Sequence, residues 1–266
     1  MQKKIKKIFV VILLVVIFAA ICFIFQKKYT ARLDNQKAQL AQEVEQKAVL
    51  EKLNNTESEK PADANLPITK KEPGANNIPK KFLLDIPFYS QAPFYNWDSF
   101  HEDMCEEASV LNAAYYLLNK KPSKEKYEAE LQKMQNAEKK EIGEWKSTTV
   151  SQIKKLIDIY FEGKIKSKIV DNPTAEQIES EISAGNPVII PLAGRDIGNP
   201  NYRQPGPIYH MLIIKGYDEK YFITNDVGTR KGNSYVYKKE TIMKNIHDWN
   251  ETDIHKGMQK ILVIYK

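Results

Sequence analysis

The segment "GPIYHMLIIKGYDEKYFITNDVGT" (residues 206–229) reads as two strands joined by a short turn. From Tyr209 to Tyr217 the chain is mostly apolar or aromatic, "DEK" (218–220) interrupts it, and "YFIT" resumes it at once. This is the pattern of a β-hairpin. Two residues are out of character. His210 puts a polar ring at the head of a strand of Met, Leu and Ile, and Asp226 closes the next strand. Side chains alternate faces along a strand, so whether these two meet is a question of parity. An odd connection puts them on one face as diagonal neighbours, close enough for an imidazole to meet a carboxylate. An even connection puts them on opposite faces unless a bulge intervenes.

Upstream, a helix is expected from about Met104 to Leu118, with Ala108, Leu111, Ala114, Tyr115 and Leu118 on one face. Asp103 is the expected N-cap and Glu106 completes a capping-box pattern, which makes Cys105 the second helical residue. A thiol there lies near unpaired N–H groups and the positive end of the helix dipole, both of which favour the thiolate. Glu106 and Glu107 act against that, because neighbouring carboxylates raise a thiol pKa. A cysteine opening a helix, a histidine opening a strand and an acid on the following strand together make a Cys-His-Asp set for nucleophilic catalysis: Cys105, His210 and Asp226. Gln91, upstream of the cysteine, is a candidate oxyanion donor. Taken singly, each has a plainer reading: a buried cysteine, a satisfied core histidine, a turn aspartate and a loop glutamine.

Further helices are expected over 124–138, in "STTVSQIKKLIDIYF" and in "TAEQIESEISAG" closed by Gly185. Strands are expected at "PVIIPLA", "YHMLIIKGY", "KYFITNDV", "SYVYK" and "KILVIYK". Helices first and strands later argue for an α+β fold with a mostly antiparallel sheet. The loop Gly194–Pro207 is expected to overhang the cleft, with Arg195 and Arg203 as surface charge or as a selector of acidic groups. His101 reads as a solvated loop residue and Trp145 as a packing residue. Four scattered histidines argue against a metal site.

The net charge is +6, but seven basic residues and no acid lie in the first 32 positions, which leaves 33 basic against 34 acidic residues, a balance of −1. The body of the chain has no basic excess, so nucleic-acid binding is not expected. The positive charge flanks Ile8–Phe25, eighteen apolar residues without a charge, which read as an uncleaved transmembrane anchor, with a cleaved signal peptide as the alternative. Cys22 lies in that run and Cys105 lacks a second partner, so there is no disulfide framework. The expected organisation is a cytoplasmic basic tail at 1–7, the anchor at 8–25, a polar helix and Pro-containing linker over 26–80, and one domain over 81–266 outside the membrane.

At these residues the sequence resembles the C39-like, papain-fold family of bacterial cysteine peptidases, over about residues 82–264. "DIPFYSQ" is similar to that family's opening segment with its glutamine, "CEEASVLNAAYYL" to its nucleophile helix, "YHMLIIKGYD" to its histidine strand and "YFITNDVGT" to its acid-bearing strand. Glu106-Glu107 stand where many members have Gly-Pro. The resemblance implies thiol-peptidase chemistry through an acyl-enzyme, with no cofactor and a peptide or protein substrate, and the expected placement off the membrane puts cell-wall peptides within reach. The alternatives are an inactive peptide- or wall-binding module of the same fold and a thiol acyltransferase.

Overall fold

The computed structural model describes residues 2–54, 78–143 and 146–266; the side chains of 2–15, 35 and 53–54 lie outside that description. The first helix, α1, runs without a break over Gln2–Asn54, so the apolar run and the polar helix are one element. The chain divides into two compact units, 1–48 and 49–266. In the first, Val16, Ile17, Phe18, Phe23, Ile24 and Phe25 are all exposed. Among the described residues no helix is long and apolar enough to cross a membrane, and the side chains of 8–15, the first part of the apolar run, lie outside them. Most of the expected linker, and Trp145, also lie outside the described residues.

The second unit is α+β. After the end of α1 come β1 (Phe82–Leu83), α2 (Cys105–Leu117), α3 (Lys124–Glu141) and α4 (Val150–Phe161). They are followed by β2 (Lys166–Asp171), α5 (Ala175–Ser183), β3 (Val188–Ala193), β4 (Tyr209–Tyr217), β5 (Tyr221–Asn225) and β6 (Tyr235–Lys238). The last elements are α6 (Lys239–Lys244) and β7 (Lys260–Tyr265). The sheet has the order β2-β7-β3-β4-β5-β6, with β1 added on β4, and the named pairings are antiparallel. Strand β2 was not among the expected ones, although Lys164, Lys166 and Lys168 alternate with Ile165, Ser167 and Ile169, a legible period of two. Helices α4 and α5 begin with capping boxes at Thr149/Gln152 and Thr174/Gln177, each satisfying donors that the first turn leaves open.

Every residue of β3 and β4 is buried. These strands lie in the middle of the sheet and α2 and α5 pack on β4, so an apolar run replaces the alternation of a half-exposed strand. Pro191 lies inside β3 opposite Met211. Proline is tolerated in a strand only where its missing N–H is not needed by the ladder. Its carbonyl accepts from His247 N–H on the side away from β4, so Pro191–Met211 is a non-hydrogen-bonded pair, and the Met211 backbone faces away from β3.

Between β4 and β5, Tyr217 faces Phe222 and Gly216 faces Ile223, but Ile214 faces Thr224 and Ile213 faces Asn225. Lys215 is therefore bulged out of register. The buried Lys215 has its ammonium pushed down to about 8 by burial, and its Nζ donates to Asn233 Oδ1 at 3.4 Å. Strand β1 pairs with β4 beside the bulge, and Leu84, the residue after it, donates its N–H to the Lys215 carbonyl at 2.8 Å. A Cβ on Gly216 would lie 2.7 Å from the Phe82 carbonyl oxygen, so only glycine fits there.

Candidate active site

Helix α2 meets β4 at the point where β5 ends. Asn225 is the last β5 residue and it pairs with Ile213, so β5 ends before it reaches the outward-facing backbone of Met211. Helix α2 takes that place. The Met211 N–H donates to Cys105 Sγ at 3.4 Å, and Ser109 Oγ donates to the Met211 carbonyl at 3.3 Å. Cys105 and Ser109 are one helical turn apart, which is the spacing needed to reach both groups of one strand residue. The thiol is thereby registered against the residue that follows His210.

His210 and Asp226 meet. His210 Nε2 lies 2.9 Å from Asp226 Oδ1, with both side chains buried. Gly228 N–H donates to the same oxygen at 3.1 Å. The other oxygen, Oδ2, accepts from Asn199 Nδ2 at 2.9 Å, Tyr202 Oη at 2.7 Å and Tyr237 Oη at 2.6 Å. Burial pushes the Asp226 carboxyl up, but the charge and hydrogen bond of His210 and the hydroxyls of Tyr237 and Tyr202 outweigh it and hold it below the usual range. The Tyr202 ring stands edge-on to the imidazole at 5.4 Å. A Cβ at position 228 would come within 2.7 Å of His210 Cε1 and 3.3 Å of Tyr202 Cε1, so glycine there leaves room for both rings. Nε2 is thus the ring nitrogen that faces Asp226.

Asn199, Tyr202, Tyr237 and Gly228 are absent from the sequence reading. Loop Gly194–Pro207 supplies the buried Asn199 and Tyr202, which donate to Asp226. No local pattern announces this, because the donors come from a loop and from β6. The tyrosine repeat Tyr235/Tyr237 was the one visible hint. Tyr202→Phe, which keeps the ring and loses one donor, is expected to cost about 1 kcal/mol of stability. Turnover should fall roughly tenfold, with the acid limb of the pH–rate profile moving to higher pH as Asp226 becomes easier to protonate. An unmoved profile would mean that the hydroxyl only packs.

Three expectations at the cysteine need correction. First, Asp103 is not the N-cap. His101–Asp103 forms a 3-10 turn, Met104 precedes the helix without a side-chain cap, and Cys105 is its first residue. Second, Glu106 does not reach back into a capping box. Its Oε2 accepts from Cys105 Sγ at 2.8 Å and its Oε1 from Thr148 N–H at 3.0 Å. Third, the thiol is not predisposed to ionise in this state. Burial, then the charge and hydrogen bond of Glu106, push it well above its usual value, and the Met211 N–H only partly opposes them. A helix dipole at one end is a smaller effect than a carboxylate in contact.

Gln91 is buried, and its Nε2 donates to the carbonyls of His101 at 2.8 Å and Glu102 at 3.2 Å. The amide is thus engaged with the 3-10 turn ahead of Cys105. The Gln91 N–H donates to the Val227 carbonyl at 3.0 Å, tying this segment to the strand end that carries Asp226. His101 is buried, unlike the expected solvated residue: Nδ1 lies 2.8 Å from Asp98 Oδ1 and Nε2 3.0 Å from Glu128 Oε1. Arg203 forms an exposed ion pair with Glu102 at 3.0 Å, and Arg195 donates to the Gly206 carbonyl.

A thiol at a helix start, hydrogen-bonded to β4 one residue past a histidine that pairs with a buried aspartate, is the arrangement that thiol nucleophilic catalysis calls for. Residues 83–254 match the model of the Peptidase_C39 like family, and the chain belongs to that family. Among solved structures it is similar to a candidate C39-like peptidase from Bacillus anthracis, with a TM-score of 0.46 and 15% identity over 71% of this chain and 98% of that one. It is also similar to xylellain, a cysteine protease from Xylella fastidiosa, with a TM-score of 0.45 and 14% identity over 72% of this chain and 88% of that one. No curated protein matches the chain.

Proposed function

We propose that the chain is a membrane-anchored cysteine peptidase or amide hydrolase acting outside the cytoplasm, with Cys105 as nucleophile, His210 as base and Asp226 as the residue that orients it. The observation carrying this reading is the buried His210–Asp226 pair at 2.9 Å on the strand whose next residue, Met211, contacts the thiol. In the reaction the Cys105 proton passes to His210 Nδ1 and the sulfur attacks the amide carbonyl carbon. The imidazolium, stabilised by Asp226, then protonates the departing amine. Water, deprotonated by His210, cleaves the thioester and returns the thiol. The oxyanion would face the first turn of α2, whose N–H groups have no partner within the helix. Gln91 would act there by holding the 3-10 turn in place.

The anchor rests on the apolar run Ile8–Phe25 with its flanking lysines and on the exposed apolar side chains from Val16 to Phe25. The expected substrates are peptides or proteins at the outer membrane surface, cell-wall peptides among them. A second reading, a peptide-binding module that has lost its activity, is favoured by the Cys105–Glu106 hydrogen bond. Hydrolysis of a fluorogenic peptide library by the full-length chain in detergent separates the two. Cys105→Ala is expected to reduce turnover by roughly a thousandfold or more while leaving the fold intact, and His210→Ala to reduce it as far while also destabilising the fold by stranding Asp226. Peptide binding by wild type without turnover, and unchanged in Cys105→Ala, would establish the binding module.

A further inference from the structure

Glu106 accepts a hydrogen bond from the Cys105 thiol, and the triad makes no use of it. It is 2% exposed. Both of its oxygens are fixed, Oε1 by Thr148 N–H at 3.0 Å and Oε2 by the thiol at 2.8 Å. From its own helix it is faced by Cys105 and Glu107, and from α3 by the charge of Glu138. From β4 comes Tyr209, whose hydroxyl donates to the Thr148 carbonyl at 2.9 Å. Behind these, Asp248 accepts from Val150 N–H at 2.8 Å. The groups that face Glu106 from these elements are thus acids, a phenol, a thiol and a backbone amide. Its charge is set by protonation, not by a cationic partner among these groups.

We propose that Glu106 is a further member of the catalytic set, one that holds the nucleophile's proton while it is a carboxylate and releases the nucleophile when it is a neutral acid. This rests on the reading of Cys105 as nucleophile and His210 as its base. As an anion, Glu106 accepts the S–H hydrogen and places a negative charge beside any thiolate. As an acid, it carries its own hydrogen and donates it to the sulfur. The proton that Cys105 then loses goes to His210 Nδ1, giving the thiolate–imidazolium pair with no like charge in contact. Burial pushes the Glu106 carboxyl up to about 7, so the change of state falls in the neutral range. Turnover is therefore expected to be highest below about pH 7 and to fall as pH rises through it.

Glu106→Gln fixes the neutral state. The amide oxygen can still accept from Thr148 N–H, and the amide nitrogen donates to sulfur where Oε2 accepted. The experiment uses the full-length chain in detergent with Cys22→Ala, which leaves Cys105 as the only thiol. Iodoacetamide alkylation is followed at about pH 8, where Glu106 in the parent is mostly ionised. Glu106→Gln is expected to react roughly tenfold or more faster than the parent, and His210→Ala in the Glu106→Gln background to lose that gain. Equal or slower alkylation in a Glu106→Gln protein with an unchanged melting transition overturns the proposal. A gain that survives His210→Ala keeps the role of Glu106 and removes His210 as the base. Should Glu106→Gln not fold, the S–H stretching band of Cys105 in the parent decides. It is expected to shift as pH falls through about 7, and a band that stays constant overturns the proposal.

Discussion

Replacing Asp226 with alanine is expected to cost on the order of 3–5 kcal/mol of folding stability, the range for removing one partner of a buried charged pair. The side chain is fully buried and accepts from His210, Asn199, Tyr202, Tyr237 and the Gly228 backbone. Alanine leaves these donors in a dry site, where each unmatched group costs about 1–3 kcal/mol before relaxation. Asp226→Asn preserves shape and isolates the chemistry. Its NH2 group faces either the imidazole or the hydroxyls, so one set of donors confronts a donor. Stability should fall less than in Asp226→Ala, whereas turnover should fall by roughly a hundredfold to ten-thousandfold, because the ring is no longer held with Nε2 as its donor. Urea unfolding and peptide turnover on the same preparations separate the two losses. Full turnover in Asp226→Asn would remove Asp226 from the triad.

The second large effect concerns Glu107. It is 1% exposed and its carboxyl meets that of Glu138, also 1% exposed. Burial, then the hydrogen bond and charge of Glu138, push Glu107 well above the usual 4.5. A group with a raised value binds its proton more tightly in the folded state. Its contribution is complete below the unfolded value and is lost as pH rises through the folded one. Glu106, pushed up to about 7, acts in the same direction. Wild-type stability is therefore expected to decline from about pH 5 upward, by on the order of 1 kcal/mol per pH unit for each proton involved. Asp226, with its lowered value, loses its contribution only on the acid side of that range. Glu107→Gln should flatten the slope and raise the urea midpoint at about pH 8. A wild-type midpoint that is constant or rises over this range would falsify the assignment of these carboxyls as protonated when folded.

The helices of the second unit were legible because each carries its own signals. Thr149 and Thr174 are caps followed three residues later by Gln152 and Gln177, and Ile153, Leu156 and Ile157 repeat at helical spacing and are all buried. Strands β3 and β4 were legible as apolar runs because both of their faces are covered. The residues around Asp226 were not legible. Asn199, Tyr202 and Tyr237 lie far apart in the chain, and their types are common in loops and strands, so nothing local shows that three donors converge on one oxygen. The cysteine environment was misjudged for a related reason. Capping patterns describe a helix end in isolation, whereas Glu106 reached a tertiary partner, Thr148, and the thiol beside it.

The sequence by itself determined the α+β class, the helix that carries the cysteine, the strand that begins near the histidine and the family to which the chain belongs. It could not determine whether His210 and Asp226 face each other. Tyr217 pairs with Phe222, so the connection between paired residues is even, and regular pairing would send the two side chains to opposite faces. The bulge at Lys215 moves the register by one residue and returns them to the same face. That bulge is held by contacts remote in sequence: Leu84 bonding the Lys215 carbonyl, β1 packing on Gly216, and Asn233 receiving the lysine ammonium. A one-residue slip has no local signature because either register satisfies the hairpin. Only the packing of the whole sheet chooses between them.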